Sequence, residues 1–401
     1  MTLHFPLARP ADDPLAPPEI FRRLRDREPV TMATLWDGSR AWLVARHADV
    51  RAVLRDLPVS ADITRPGFPR IFPLQQALPQ GERPPFVLMD PPDHDVLRKL
   101  INADFVVRRI EALRPRIRRL VDEHVDAMLA GPRPADLVRA VALPVPSTVI
   151  CWLLGVPVAE QGAFNEWTST AIDATSTPER RAHAYGAIGG LLDRLLAEKE
   201  HRPGDDMLTR LARHVTSGAV SRHDALTTAM LILIAGHETT ANMIALGTLT
   251  LLGHPEQADA LRDDPGLAPN AVEELLRYLS IVDGVIGRVA LEDFTLAGRQ
   301  VRAGDGIVVL IPSANRDPGV FDDPDTLDLR RPARRHVAFG YGLHQCLGQP
   351  LARVELQVTL TTLLRRVPGL RLAVPMSELT FKQNDGVYGV RSLPLTWNEE
   401  N

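Results

Sequence analysis

The stretch from Arg222 to Leu252 is the feature that most limits how this chain can fold. It opens on the capping box Ser221-Arg-His-Asp224 and closes at Gly253-His-Pro255, which are the end signals of a helix. At about 1.5 Å per residue such a helix spans roughly 46 Å, the width of a whole domain. Any fold must be built around it. Inside it, LILIAGHETTANM places Gly236, His237, Glu238, Thr239 and Thr240 in the middle of an apolar run. Glycine in a helix interior costs up to about 1 kcal/mol relative to alanine, and buried carboxyl and hydroxyl groups cost more unless they find partners. A glycine close before a threonine also lets a hydroxyl or a water enter the hydrogen-bond ladder. Two readings stand: a polar seam facing another helix, or a groove where a bound group is served by an acid and a hydroxyl that pass protons.

The rest of the chain supports a mainly α fold with small β-sheets. From Pro92 to Pro255 apolar residues recur at helical spacing, as in ADFVVRRIEALRPRIRRLVDEHVDAML, while strand signals gather near the two ends. Asp37-Gly38 predicts a tight hairpin turn in VTMATLWDGSRAWLVARH, and Ala297-Gly298 a second in FTLAGRQVRAGDGIVVLI. With 401 residues, 45% hydrophobic and 24% charged, the chain is composed like an ordinary globular protein. No low-complexity linker or fixed-period repeat divides it, so one domain over 1–401 is expected. Two cysteines cannot build a disulfide framework, and MTLHFPLARPADDPLAPPE has neither signal-peptide character nor a bilayer-spanning run. A reduced, cytoplasmic setting, no membrane anchor and a monomer are expected. A formal net charge of −4 gives no argument for nucleic acid as a partner.

The second informative stretch is HVAFGYGLHQCLGQPLARVE, His336 to Glu355, which carries one of the two cysteines into an amphipathic helix. Gly340, Gly342 and Gly348 let the backbone approach a bulky object and aim amides at the sulfur of Cys346. Gln349-Pro350 starts a helix with the apolar face Leu351, Val354, Val358 and Leu364, and its positive end lies beside Cys346. Both features favour a thiolate. Its use as nucleophile, zinc ligand or axial haem ligand remains open at this level. Zinc has no cysteine partner, since Cys151 sits in the apolar run STVICWLLGV as a core residue. For a nucleophile, His344 is near, but no orienting group or oxyanion site is legible.

FGYGLHQCLG, Phe339 to Gly348, resembles the cysteine loop of the cytochrome P-450 family, the haem-thiolate monooxygenases. AGHET at Ala235 to Thr239, Glu274-Leu-Leu-Arg277, and His94-Asp-Val-Leu-Arg98 after MDPPD follow the same family's pattern in other parts of the chain. The resemblance covers nearly the full length and is strongest to soluble actinobacterial members. It implies the cytochrome P-450 fold, with haem b between the long helix and the cysteine-loop helix. It implies Cys346 as the axial ligand of the iron, His94, Arg98, Arg288 and His344 as partners of the haem propionates, and Phe339, Gly340 and Gly348 packed around the sulfur. On the opposite face, Ala235 and Gly236 would make room for O2, with Thr239 and Glu238 as the catalytic hydroxyl and acid that manage protons; His237 is assigned no catalytic role. Glu274 and Arg277 would form a structural ion pair; Thr326 stands near the usual place of its third member, for which a neighbouring arginine is the substitute candidate.

The resemblance also locates the substrate pocket. Candidates are the Pro-rich ITRPGFPRIFPLQQALPQGERPPFVL, helices around residues 160–185, Leu231, Ile232 and Ala235, then Val282, Val285 and Ile286, and finally Gly386 and Val387. Most are apolar, which points to a bulky lipophilic substrate, a macrolide, terpenoid or sterol-like compound, and to C–H hydroxylation. With no flavin or nicotinamide domain in the chain, electrons are expected from a separate ferredoxin and its reductase. Arg330, Arg331, Arg334 and Arg335 are the candidate basic patch for that acidic partner, against the alternative of a solvated cluster among neighbouring aspartates. A peroxide-using or rearranging enzyme of the same fold, or a non-catalytic haem module, are the competing functions.

Overall fold

The computed structural model describes residues 3–72, 83–172, 176–383 and 386–398. Residues 73–82 of the Pro-rich segment and 173–175 of the predicted pocket helices lie outside them.

The long helix forms as its sequence predicts, over Arg222–Leu252, with the Ser221 hydroxyl accepting from the Asp224 amide. It is long and apolar enough to cross a bilayer, yet most of its apolar stretch is buried in the protein. Its second half is enclosed almost all round, from Thr240 to Leu251, because helices Pro144–Leu154, Pro178–His201, Met207–Thr216 and Gln349–Arg366 pack around it. Each fully buried Leu or Ile in such a core contributes about 1.5–3 kcal/mol. Helix Val107–Ala130 lies against Gln349–Arg366 and completes the helical layer behind the cysteine loop.

A six-stranded sheet runs in the spatial order Leu3–His4, Val30–Thr34, Arg40–Val44, Gly306–Val309, Gly287–Ala290, Val59–Ser60. Both predicted hairpins are present. Val30–Thr34 and Arg40–Val44 pair antiparallel with Met32 opposite Trp42. Phe294–Leu296 and Arg299–Val301 turn through Ala297 and Gly298, both at positive φ (46° and 77°), as a two-residue primed turn requires. The strand Gly287–Ala290 carries Arg288 in from this sheet toward the helical layer. A small sheet of Arg371–Leu372, Pro394–Thr396 and Ala135–Asp136 ties the late chain to the middle of the sequence.

Candidate functional site: a cavity between the long helix and the cysteine loop

The long helix and the cysteine loop face each other across a cavity of about 300 Å³. Ala235, Gly236, Thr239, Thr240 and Met243 line one wall and Phe339, Gly340, Cys346, Gly348, Leu351 and Glu355 the other. Residues of the long helix three and four apart share this wall because the helix has 3.6 residues per turn.

The loop is folded so that its cysteine is presented. The Cys346 amide donates to the Phe339 carbonyl at 2.8 Å, and Gly340 and Gly342 adopt φ of 71° and 75°, where other residues are strained. A Cβ on Gly342 would stand 2.6 Å from the Leu54 carbonyl oxygen, so that turn also packs too closely for a side chain. Gly348 has a φ of −75° and a Cβ there would sit 3.9 Å from the Cys346 sulfur, ordinary contact, while its amide is aimed at the sulfur as expected. The Cys346 sulfur opens onto the cavity but is otherwise enclosed. The sequence suggests a stabilised thiolate; in the structure burial dominates and pushes the thiol up, opposed by the Gly348 and Gln349 amides and by Arg98 and Arg353. Burial disfavours the anion while the amides and guanidiniums favour it, and a cation bound at the sulfur would add to the second effect.

At one edge of the cavity lies a buried basic cluster. The rings of His94 and His344 are 4.3 Å apart, and His94 Nε2 and His344 Nδ1 are buried without partners. Arg98 donates to the Gln345 carbonyl at 2.6 Å, and buried Arg288 to the Gly287 carbonyl at 2.7 Å. Burial lowers Arg288 to about 10, with Asp90 opposing. Burial likewise holds His344 down to about 3, aided by Arg288, His94 and Arg98. Orphaned imidazole nitrogens beside two guanidiniums are costly unless anionic acceptors join them. The propionates of haem are such acceptors, and an open sulfur facing a glycine-bearing helix suits the ring between them. The residues present fit that group.

The other predicted residues divide. Leu231, Ile232, Val282 and Ile286 line the cavity with Ala235. Val285 and Val387 do not. Val285 packs with Phe5, Ile71 and Phe72 behind the wall and covers Gly386, whose Cβ would lie 2.5 Å from it; Val387 pairs with Val282 in a β-bridge and backs it. Thr239 faces the cavity, its hydroxyl donating to the Ala235 carbonyl at 2.7 Å. Glu238, one position earlier, is turned away and bonded to Lys382 Nζ at 2.8 Å. The empty Cβ position of Gly236 is filled by Ile150, whose Cδ1 would be 2.9 Å from it, so the glycine admits that side chain as well as lining the cavity. His237 is buried, and burial followed by Lys382 lowers it to about 4.

Sequence reasoning missed Phe105, Ile150 and Met243 of the lining, which read as plain core positions. It also missed Glu355, a cavity-lining carboxyl with both oxygens unpartnered and pushed well above the usual range by burial. Only an acid on the apolar side of LARVELQV signalled it. The third partner of Glu274 and Arg277 is Arg331, with Nε 3.1 Å from Glu274 Oε1; Thr326 contributes only its carbonyl oxygen. Arg331 therefore leaves the predicted basic patch, since its side chain is drawn inward by a buried carboxylate. Arg330, Arg334 and Arg335 remain exposed.

A cysteine-bearing loop, a long grooved helix and a buried cationic edge make this the fold and pocket of a haem protein. A sequence profile of cytochrome P450 matches residues 266–368. Cytochrome P450-SU2 of Streptomyces griseolus is 50% identical, covering 98% of this chain and 97% of its own. The crystal structure of GfsF, a cytochrome P450 of Streptomyces halstedii, superposes with a TM-score of 0.94 at 45% identity, covering 99% of this chain and 100% of that one. The mycinamicin VIII C21 methyl hydroxylase MycCI of Micromonospora griseorubida, solved with mycinamicin VIII bound, superposes with a TM-score of 0.91 at 41% identity over 99% of this chain and 100% of that one. The chain belongs to the cytochrome P450 family. It is an oxidoreductase of the monooxygenase class, and its cofactor is haem.

Proposed function

We propose that this cytochrome P450 inserts one oxygen atom of O2 into a C–H bond of a bulky lipophilic small molecule, a macrolide, terpenoid or sterol-like compound, in the cytoplasm, as a monomer. The observation that carries the substrate class is the cavity itself: Leu231, Ile232, Phe86, Val87, Val282 and Ile286 line it, and among the described residues its acidic and basic lining side chains are Arg98, His344 and Glu355 alone. Such a surface rewards apolar area and offers few polar anchors. A relative solved with mycinamicin VIII in place supports an extended ligand.

Haem supplies the oxygen-activating chemistry, and sulfur ligation of its iron favours O–O cleavage. Cys346 would be that ligand, held by the Phe339 carbonyl on its amide and by the Gly348 and Gln349 amides on its sulfur. His94, Arg98, Arg288 and His344 would bind the propionates and so fix the ring's orientation. Thr239 is the hydroxyl of the opposite wall; released from the Ala235 carbonyl, its proton points into the cavity. The chemistry haem would supply draws on protons, and Glu238 would resupply them to Thr239. Misdirected delivery releases peroxide, so Thr239→Val should raise peroxide per electron pair without displacing the substrate.

Electrons would come from a separate ferredoxin and reductase. Exposed Arg330, Arg334 and Arg335 lie just before the cysteine loop and suit an acidic carrier, since complementary charge speeds encounter. If charge reversal at Arg334 and Arg335 leaves the salt dependence of reduction unchanged, that docking face is wrong. The decisive experiment on the whole reading is spectroscopic. Reduced protein under carbon monoxide should show a strongly red-shifted Soret band that Cys346→Ala lacks, and lipophilic ligands should shift the ferric spin state. A band unaffected by the substitution, or a preference for small charged ligands, would overturn it.

A further inference from the structure

Glu238 and Thr239 are consecutive, yet successive helical residues point about 100° apart, so they cannot serve one site without a movement. Thr239 lies on the cavity wall with Ala235 and Met243. Glu238 shares the adjacent face with Asn242, four residues on, and both are held by one cation: Lys382 Nζ stands 2.8 Å from Glu238 Oε1 and 3.1 Å from Asn242 Oδ1. The clamp is built in. The Lys382 amide donates to the Gly389 carbonyl at 2.8 Å, and a Cβ on Gly389 would lie 2.1 Å from Asn242 Oδ1, so the late segment is pressed directly onto the helix. The Lys382 and Glu238 side chains are 15% and 17% exposed, which makes the pair neither freely solvated nor locked away. Tyr185, on the helix Pro178–His201, also feels Glu238, and buried His237 feels Lys382.

We propose that Lys382 is a positioning residue for the proton supply: it parks Glu238 outside the oxidation cavity and frees it to serve Thr239 only when the ion pair opens. This rests on the assignment of Thr239 and Glu238 to the proton path given above. Lys382 also lines a second cavity of about 20 Å³, together with Arg9, Asp283, Gln383 and Tyr388. It has room for one water, and the buried Tyr388 hydroxyl has no protein partner. A hydronium from solvent protonates the freed carboxylate, which carries the proton around the helix to the Thr239 side. The resulting carboxylate then returns to the ammonium, and charge and protons balance at each turn.

The test compares Lys382→Gln, Lys382→Arg, Glu238→Gln and the Glu238→Gln/Lys382→Gln double variant in two ways. Isotope-edited infrared spectra of the ligand-free protein read the Glu238 carboxylate band without turnover. The ratio of product formation rates in H2O and D2O, with the peroxide-to-product ratio, reads proton delivery. Glu238→Gln is expected to slow product formation by about 10²-fold and to remove the band. Lys382→Gln should shift the band and change both ratios, Lys382→Arg should restore them, and Lys382→Gln should have no further effect in the Glu238→Gln background. A wild-type band and wild-type ratios in Lys382→Gln, with Glu238→Gln impaired, overturn the positioning role and leave the proton path standing. Unchanged ratios in Glu238→Gln sink the proton path itself.

Discussion

Arg331 Nε lies 3.1 Å from Oε1 of Glu274, a carboxylate that Arg277 already grips through two hydrogen bonds of 2.7 Å. The Asp328 amide adds a fourth hydrogen bond at 3.1 Å. Glu274 and Arg277 are fully buried, so this knot fixes the chain just ahead of the cysteine loop to the helix Ala268–Leu279. Replacing a buried ion pair is often neutral, but removing one partner strands the other. Arg331→Ala is therefore expected to destabilise the protein by about 1–3 kcal/mol, read as a lower thermal midpoint. Arg330→Ala, on the exposed neighbour, should leave that midpoint where it was.

Glu273 governs acid stability. Burial alone would raise its carboxyl, but hydrogen bonds from His336 and Arg353 overcome burial and hold it at about 2, below its ordinary 4.5. A carboxyl depressed in the fold contributes stability that is complete above pH 4.5 and is lost as pH falls toward 2, where the unfolded chain already binds the proton. The contribution is on the order of 2–3 kcal/mol. Glu273→Gln should lower the midpoint at pH 6 and flatten its decline between pH 4.5 and 3; an unchanged slope would refute the assignment.

Glu355 has the opposite sign. With no partner for either oxygen and its carboxyl pushed well above 4.5 by burial, it stays protonated in the fold where the unfolded chain ionises. The folded state binds the extra proton, so stability should fall as pH rises from about 4.5 toward neutrality. Glu355→Gln keeps the shape and removes the titration. Its thermal midpoint should exceed that of the wild type at pH 8 and match it near pH 4.

Gly236 and Ile150 form a size-matched pair. Alanine at 236 gains up to about 1 kcal/mol of helix propensity but drives a methyl to 2.9 Å from Ile150 Cδ1, an overpacking that costs about 1–3 kcal/mol. Gly236→Ala is expected to lower the midpoint, and Ile150→Val in the same chain to recover it. Failure of the second substitution to rescue would mean that the glycine is needed for the cavity wall itself.

The fold was legible where local rules agree with the global structure. The capping box at Ser221, the primed turn at Ala297-Gly298 and the glycines at positive φ before Cys346 each need one conformation and received it. Contacts between distant segments were not legible. Nothing local tells Glu238 that Lys382 lies within reach, since only the tertiary packing sets them side by side; the arginine expected in place of Thr326 beside Glu274 and Arg277 is Arg331. Val285 and Val387 failed for a related reason, since apolar residues on a short loop alternate between wall and backing, and the register of the Val282–Val387 bridge decides which is which.

The two walls of the cavity are also separated in time. A ribosome delivers the chain from its N-terminal side onward and a domain folds as a unit, so Gly236 and Thr239 are made well before Cys346, Leu351 and Glu355, the residues that complete their cavity. Until then the groove has one side, and its apolar face is open to water. A pocket whose far wall is Cys346, Leu351 and Glu355 cannot enclose haem until those residues have been made.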